Sequence, residues 1–212
     1  GENRLDRMNL IGEMAAGIAH EIRNPMTTVR GFLQLLNNKP EFLPHEEYFK
    51  LMIDELDRAN LIITEFLTLG NNKPLDLQLE NLNNLITNLL PLIMTDAMLH
   101  DKDVNLELGE IRHLRFDQKE MRQLILNLAR NGLEAMETGG TLTIRTYMQQ
   151  QDVILAVQDQ GQGIKPALLE KLGTPFFTTK ETGTGLGLAI CYNIASRHDA
   201  AIKVQTGPWG TV

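Results

Sequence analysis

The sequence predicts an α+β protein in two parts: an N-terminal helical hairpin forming a dimeric four-helix bundle, then an α/β sandwich with helices on one face of a mostly antiparallel sheet. Three observations carry that expectation. Apolar residues recur at alternating spacings of three and four up to residue 70; beyond residue 75 short strand patterns interleave with helical ones; and glycines gather between residues 160 and 187. With 212 residues the chain can hold two small domains, and a net charge of −7 without a basic patch excludes a general nucleic-acid binder. A single cysteine, Cys191, excludes an internal disulfide framework and reads as a buried core thiol. The longest apolar run, LLPLIM at 89–94, is too short to span a bilayer, and the N-terminus has no signal-peptide pattern. The expected location is therefore cytoplasmic, with any membrane attachment supplied by a segment absent from this chain.

The first helix places Met8, Ile11, Ala15, Ile18, Ile22, Pro25, Val29, Phe32 and Leu36 along one seam. A break marked by Asn37, Asn38, Pro40 and Pro44 precedes a second seam of Phe49, Met52, Leu56, Ala59, Ile63 and Phe66. One hairpin cannot bury both seams together with Ile53, Ile62 and Leu67, so a homodimer is expected. Gly70 and the NNKP at 71–74 end the second helix and open a linker, dividing the chain into domains at 1–71 and 72–212.

Beyond the linker the pattern predicts a strand at LQLE, a helix across 82–101, strands at NLEL and HLRF, and a helix from Gln118 to Met136. Strands TLTIRTYM and VILAVQD follow, then the glycine-rich stretch, a helix from Leu186 to Arg197 and a strand AIKVQT. A further strand belongs where the chain reaches GPWGTV, so the last strand is expected to be missing or cut short.

In the first helix, His20 falls at the f position, farthest from the seam, with Asn24 one turn on and Glu21 about 100° around the axis. Pro25 cannot donate to the Glu21 carbonyl and crowds it, at a cost of about 3 kcal/mol, which predicts a bent or loosened turn around His20 and Glu21. HEIRN begins like the zincin motif, but Asn24 stands where the second histidine would be, so zinc is not expected. An outward imidazole near neutral pH offers a ring nitrogen as nucleophile, and Glu21 can hold and accept the proton of the other nitrogen.

In the second part, Asn127 and Asn131 share one helix face at i and i+4. Asp159 ends the apolar strand VILAV, and Gly161 and Gly163 follow in QDQGQG. GTGLGL at 183–188 runs straight into a helix, an arrangement that presents backbone N–H groups to a phosphate. It is neither a Walker A motif nor a G-x-G-x-x-G dinucleotide turn.

The order of these motifs is specific. AHEIRNP, NLARNGLEA, DQGQG, PFFTTK and GTGLGL resemble, in sequence, the phosphoacceptor, N, first glycine, F and second glycine boxes of bacterial sensor histidine kinases, over nearly the whole chain. Within that family the chain looks most like the sporulation kinases of bacilli. The resemblance implies a phosphotransfer hairpin and a Bergerat-type ATP-binding domain, with Asp159 accepting the adenine amino group, Asn131 and Asn127 holding Mg²⁺ and phosphates, and Gly183, Gly185 and Gly187 facing the triphosphate. The segment 160–187, with six of the seventeen glycines, then reads as a mobile lid, and Lys180 as its cation near the γ-phosphate.

The implied activity is ATP-dependent phosphorylation of His20, then transfer to an aspartate of a response regulator receiver domain in a two-component system or phosphorelay. Glu21 and Asn24 also match an E-x-x-[NT] pattern that can position water to dephosphorylate the partner. A small protein inhibitor gripping the hairpin is a further implied partner. Two other readings stay open: a gyrase-type ATPase, disfavoured because Asn127 stands where those enzymes carry a glutamate, and a docking module with a relic nucleotide site.

Overall fold

The computed structural model describes residues 2–70, 73–180 and 183–212, with backbone only for residues 2–14. The seam residues Met8 and Ile11, and the linker's Asn71 and Asn72, thus lie outside the described residues or their side chains. Two compact units divide the chain, Gly1–Lys73 and Pro74–Val212.

The first unit is a hairpin of α1 (Glu2–Asn37) and α2 (Glu46–Leu69) joined by a 3₁₀ turn over Pro40–His45. Pro40 opens that turn, and Phe42 meets Phe49 edge-on at 5.6 Å, fixing the start of α2 against it. Arg23 donates to Thr64 Oγ1 at 2.6 Å, and seven residues further along α1 Arg30 forks onto Asp57 at 2.7 and 3.2 Å, seven residues back along α2. Such a register is antiparallel.

Ala15, Ala19 and Phe49 are buried, whereas Ile18, Ile22, Val29 and Phe32 are 53, 44, 49 and 62% exposed. The predicted single seam is therefore two lines: one facing the partner helix, the other left open. α1 stays helical through Pro25, so losing one backbone bond does not break it.

In the second unit, β1 (Leu77–Glu80) pairs antiparallel with β3 (Leu114–Asp117). The main sheet runs β2 (Asp103–Leu108), β4 (Thr141–Gln149), β5 (Asp152–Gln158); β2 and β4 are parallel, β4 and β5 antiparallel. α3 (Leu82–Leu99), α4 (Gln118–Ala135) and α6 (Gly187–Arg197) complete the unit, with a short α5 (Pro166–Leu169). Its core includes Ile86, Leu89, Ile125, Leu142, Ile144 and Ile190, each at most 1% exposed and each contributing about 1.5–3 kcal/mol by burial. Cys191 is buried as expected, its thiol facing the Leu124 carbonyl and pushed up to about 12 by burial.

Three expectations are corrected. AIKVQT is not a strand: only Thr206–Gly207 (β6) is extended in a ladder, paired with Gly210–Thr211 (β7) across a turn at Pro208 and Trp209. Leu186 caps α6 rather than opening it. α5 was not foreseen, although Pro166 at a first helical position is its signal.

Asp117 ties these elements together. Its Oδ1 accepts the N–H groups of Lys119 and Glu120 at 3.0 and 3.1 Å, capping α4, and its Oδ2 accepts from Asp76 N–H at 3.0 Å. The Asp117 N–H in turn donates to the Nε2 of His198, whose Nδ1 faces the Ile194 carbonyl at 2.8 Å, joining β3 to the end of α6.

Burial alone would raise the Asp117 pKa, but the three N–H donors outweigh it and the net shift is downward. A carboxylate with a lowered folded pKa stabilises above its unfolded pKa and loses that contribution as pH falls through the folded value. Asp117→Ala should therefore cost about 1–2 kcal/mol at pH 7, a gap that narrows below pH ~4 in denaturant titrations at the two pH values.

Candidate functional site

Within the hairpin, His20, Glu21 and Asn24 are all exposed. At 100° per residue, His20 stands about 160° around α1 from the open stripe of Ile18, Ile22, Val29 and Phe32. The histidine and the apolar stripe thus occupy opposite sides of one helix. A second hairpin could cover the stripe without covering the imidazole.

In the second unit, α4 and the end of β5 build the other cluster. Asn127 and Asn131 are half-buried on one face of α4. Asn127 donates to the Gly187 carbonyl at 3.4 Å, and the Asn131 amide lies 3.9 Å from where a Cβ on Gly187 would sit. The first turn of α6, with its unpaired N–H groups, is thereby set beside the two amides.

Asp159 is 8% exposed. Its Oδ1 accepts from Gly161 N–H at 2.8 Å and Thr211 N–H at 3.2 Å, while its own N–H donates to the Thr211 carbonyl at 2.8 Å. Both bonds fall on Oδ1, so Oδ2 remains for a ligand's donor. Burial raises the Asp159 pKa, opposed by those two N–H groups and by the charge of Lys180.

The glycines frame this cluster. Gly161 packs against the Ala135 carbonyl at the end of α4. Gly163 has φ +76 and a Cβ there would meet the Gly207 carbonyl at 2.5 Å, so only glycine fits; the next residue, Ile164, donates to Thr206 Oγ1 at 2.7 Å. Gly185 has φ +71 and lies against the Phe176 backbone, and Gly183 sits beside Thr178 and Lys180. PFFTTK and GTGLGL are therefore packed on each other. Lys180 Nζ pairs with Glu134 Oε2 at 2.5 Å.

The structure thus brings together Asn127, Asn131, Asp159, Gly161, Gly163, Lys180, Gly183, Gly185 and Gly187 within one unit, and His20, Glu21 and Asn24 on one helix face of the other. Sequence reasoning missed three contributors: Thr206, Thr211 and Glu134. Only Glu134 left a signal, lying three residues after Asn131 on the same helix face. Among the described residues no group of three or more His, Cys, Asp or Glu could hold a metal.

A helical hairpin with an outward histidine, followed by an α/β unit with paired asparagines and facing glycine turns, is the architecture of a phosphoacceptor domain joined to an ATPase-type domain. Residues 10–74 match the His Kinase A (phospho-acceptor) domain, and residues 116–212 match the family described as histidine kinase-, DNA gyrase B-, and HSP90-like ATPase. The chain belongs to the histidine kinase family.

Among its relatives, sporulation kinase A of Bacillus subtilis (strain 168) is 39% identical over 96% of this chain and 34% of its own length. The catalytic domain of histidine kinase ThkA, in a nucleotide-free form, is 30% identical with a TM-score of 0.60, covering 65% of this chain and 91% of that one. ThkA in complex with the response regulator protein TrrA is 30% identical with a TM-score of 0.71, covering 99% of this chain and 62% of that one. The chain spans less than half the length of the first curated relatives it matches. Among the described residues no helix is long and apolar enough to cross a membrane.

Three outcomes are expected. Asp159→Asn should weaken nucleotide binding by about 1.5–3 kcal/mol, the range for a hydrogen bond to a charged group, as read by calorimetric titration. Because protonation removes the acceptor and the Asp159 pKa is raised, wild-type affinity should start to fall on acidification above the ordinary aspartate range, and the variant should lack that limb. In the hairpin, Pro25→Ala restores a donor to the Glu21 carbonyl and should slow amide exchange over residues 19–24, measured by mass spectrometry.

Proposed function

We propose that this chain is the kinase core of a two-component or phosphorelay sensor, transferring the γ-phosphoryl group of ATP to His20 and then to an aspartate of a receiver domain. The observation that carries this reading is the placement of His20. It is exposed on the side of α1 opposite the apolar stripe, so dimerisation through Ile18, Ile22, Val29 and Phe32 leaves it free to meet an ATP-binding unit and later a partner protein.

A ring nitrogen of His20 attacks the γ-phosphorus, the bond from that phosphorus to the β–γ bridging oxygen breaks, and ADP leaves. The proton on the other ring nitrogen passes to Glu21, leaving a phosphoramidate whose imidazole ring is neutral and whose phosphoryl group keeps its negative charge. A receiver carboxylate oxygen then attacks the phosphorus, the P–N bond breaks, and the departing imidazole takes back the proton held by Glu21, which restores neutral histidine and leaves an acyl phosphate on the receiver. Asn24 lies one turn from His20 and would serve, with Glu21, to orient water in any dephosphorylation of the partner.

In the second unit, Asp159 Oδ2 accepts the adenine amino group, and the first turn of α6 with Gly185 and Gly187 presents N–H groups to the phosphates, while Gly183 faces them from a turn closed by its own N–H donating to the Lys180 carbonyl at 3.3 Å. Asn131, with Asn127, is suited to Mg²⁺: two half-buried amides on one helix face offer oxygen ligands of the kind a hard cation prefers. Bound there, Mg²⁺ would offset charge on the triphosphate. Lys180 supplies a further cation on the same side. A role in sporulation signalling is supported by the relatives' names, and a cytoplasmic location by the chemistry of an ATP-dependent relay.

Incubation with γ-labelled ATP and Mg²⁺ tests the proposal. The expected result is protein-bound label that is stable to alkali, labile to acid and absent in His20→Gln. Release of free phosphate without labelled protein would assign the chain to the ATPases instead.

A further inference from the structure

Glu134 sits on α4 three residues beyond Asn131 and seven beyond Asn127, so all three project from one helix face. A carboxylate on the face proposed to meet a triphosphate should repel it. Yet Glu134 is paired with Lys180, which comes from the PFFTTK segment, 46 residues later in the chain.

That segment is itself held in place. The Lys180 N–H donates to Thr178 Oγ1 at 3.0 Å, and a Cβ on Gly183 would lie 2.6 Å from Thr178 Oγ1 and 3.2 Å from Lys180 Cβ. Lys180 therefore stands between the glycine turn and the asparagine face of α4. Its charge is also felt at Asp159.

We infer that Glu134 is a positioning residue for nucleotide binding, tethering Lys180 so that its ammonium is presented to the phosphates from a fixed place on α4. An ammonium has three N–H donors; one is taken by Glu134 and two remain for phosphate oxygens. A free lysine side chain loses considerable rotamer entropy on binding an anion, and a tether removes part of that cost in advance. The pair thus gives α4 a directed cation while neutralising the carboxylate.

This inference rests on the reading of the second unit as an ATP site, and the test separates the two. Binding of ATP and of adenosine, which lacks phosphates, is measured by calorimetry for the full chain, Glu134→Gln, Lys180→Ala and the double variant. Glu134→Gln should weaken ATP binding about tenfold and leave adenosine binding unchanged, which also shows that the variant is folded. Lys180→Ala should do the same, and the double variant should be no weaker than Lys180→Ala alone, because Glu134 acts through Lys180.

Equal weakening of both ligands, independent additive effects, or unchanged ATP binding in Glu134→Gln would overturn the positioning role. Failure of the wild-type chain to bind ATP would instead overturn the reading of the site.

Discussion

The nucleotide-facing half of the molecule depends on how closely α4 lies on the sheet at Gly132. A Cβ there would come within 2.4 Å of Leu142 Cδ1 and 3.6 Å of Asp159 Cβ, so the helix can rest on β4 only because this residue has no side chain. Leu142 is fully buried beneath it and cannot withdraw without opening the core. One turn of α4 therefore sets the height of everything on its exposed face. Asn127, Asn131 and Glu134 hold their places relative to Asp159 because Gly132 lets the helix down onto the strand.

Asp159 itself is kept by opposing forces. Burial disfavours its charge, while two backbone N–H groups and a nearby ammonium favour it. Both N–H groups come from later in the chain, one local, from Gly161 just after the strand, and one distant, from Thr211 in the β6–β7 hairpin. The carboxylate is thus fixed on one oxygen by the protein and open on the other. Orientation of this kind suits recognition of a single amino group better than general anion or cation binding.

Much of this was legible in the chain, and the parts that were not share a cause. The 3.5-residue repeat announced the hairpin, and motif order announced the clustering of Asn131, Asp159 and the glycines. Periodicity could not say which apolar residues of α1 face α2: Ala15 and Ala19 do, while Ile18 and Ile22 do not. Both lines have the same spacing, and only packing separates them.

The parallel pairing of β2 with β4 was hidden for a related reason, since alternation describes a strand and not its neighbour. AIKVQT misled because alternation there is not matched by a ladder partner over its full length. Thr206 and Thr211 gave no signal at all. Their hydroxyl and backbone groups matter through a fold that brings residues 159–164 and 206–211 side by side.

The pair of hydrogen bonds between Asp159 and Thr211 has a practical consequence. A change at Thr211 that removes its N–H, or displaces the short β6–β7 hairpin, would loosen the Asp159 carboxylate 52 residues earlier in the chain. Immobilisation or fluorescent labelling meant to leave that carboxylate undisturbed should therefore avoid residues 206–211.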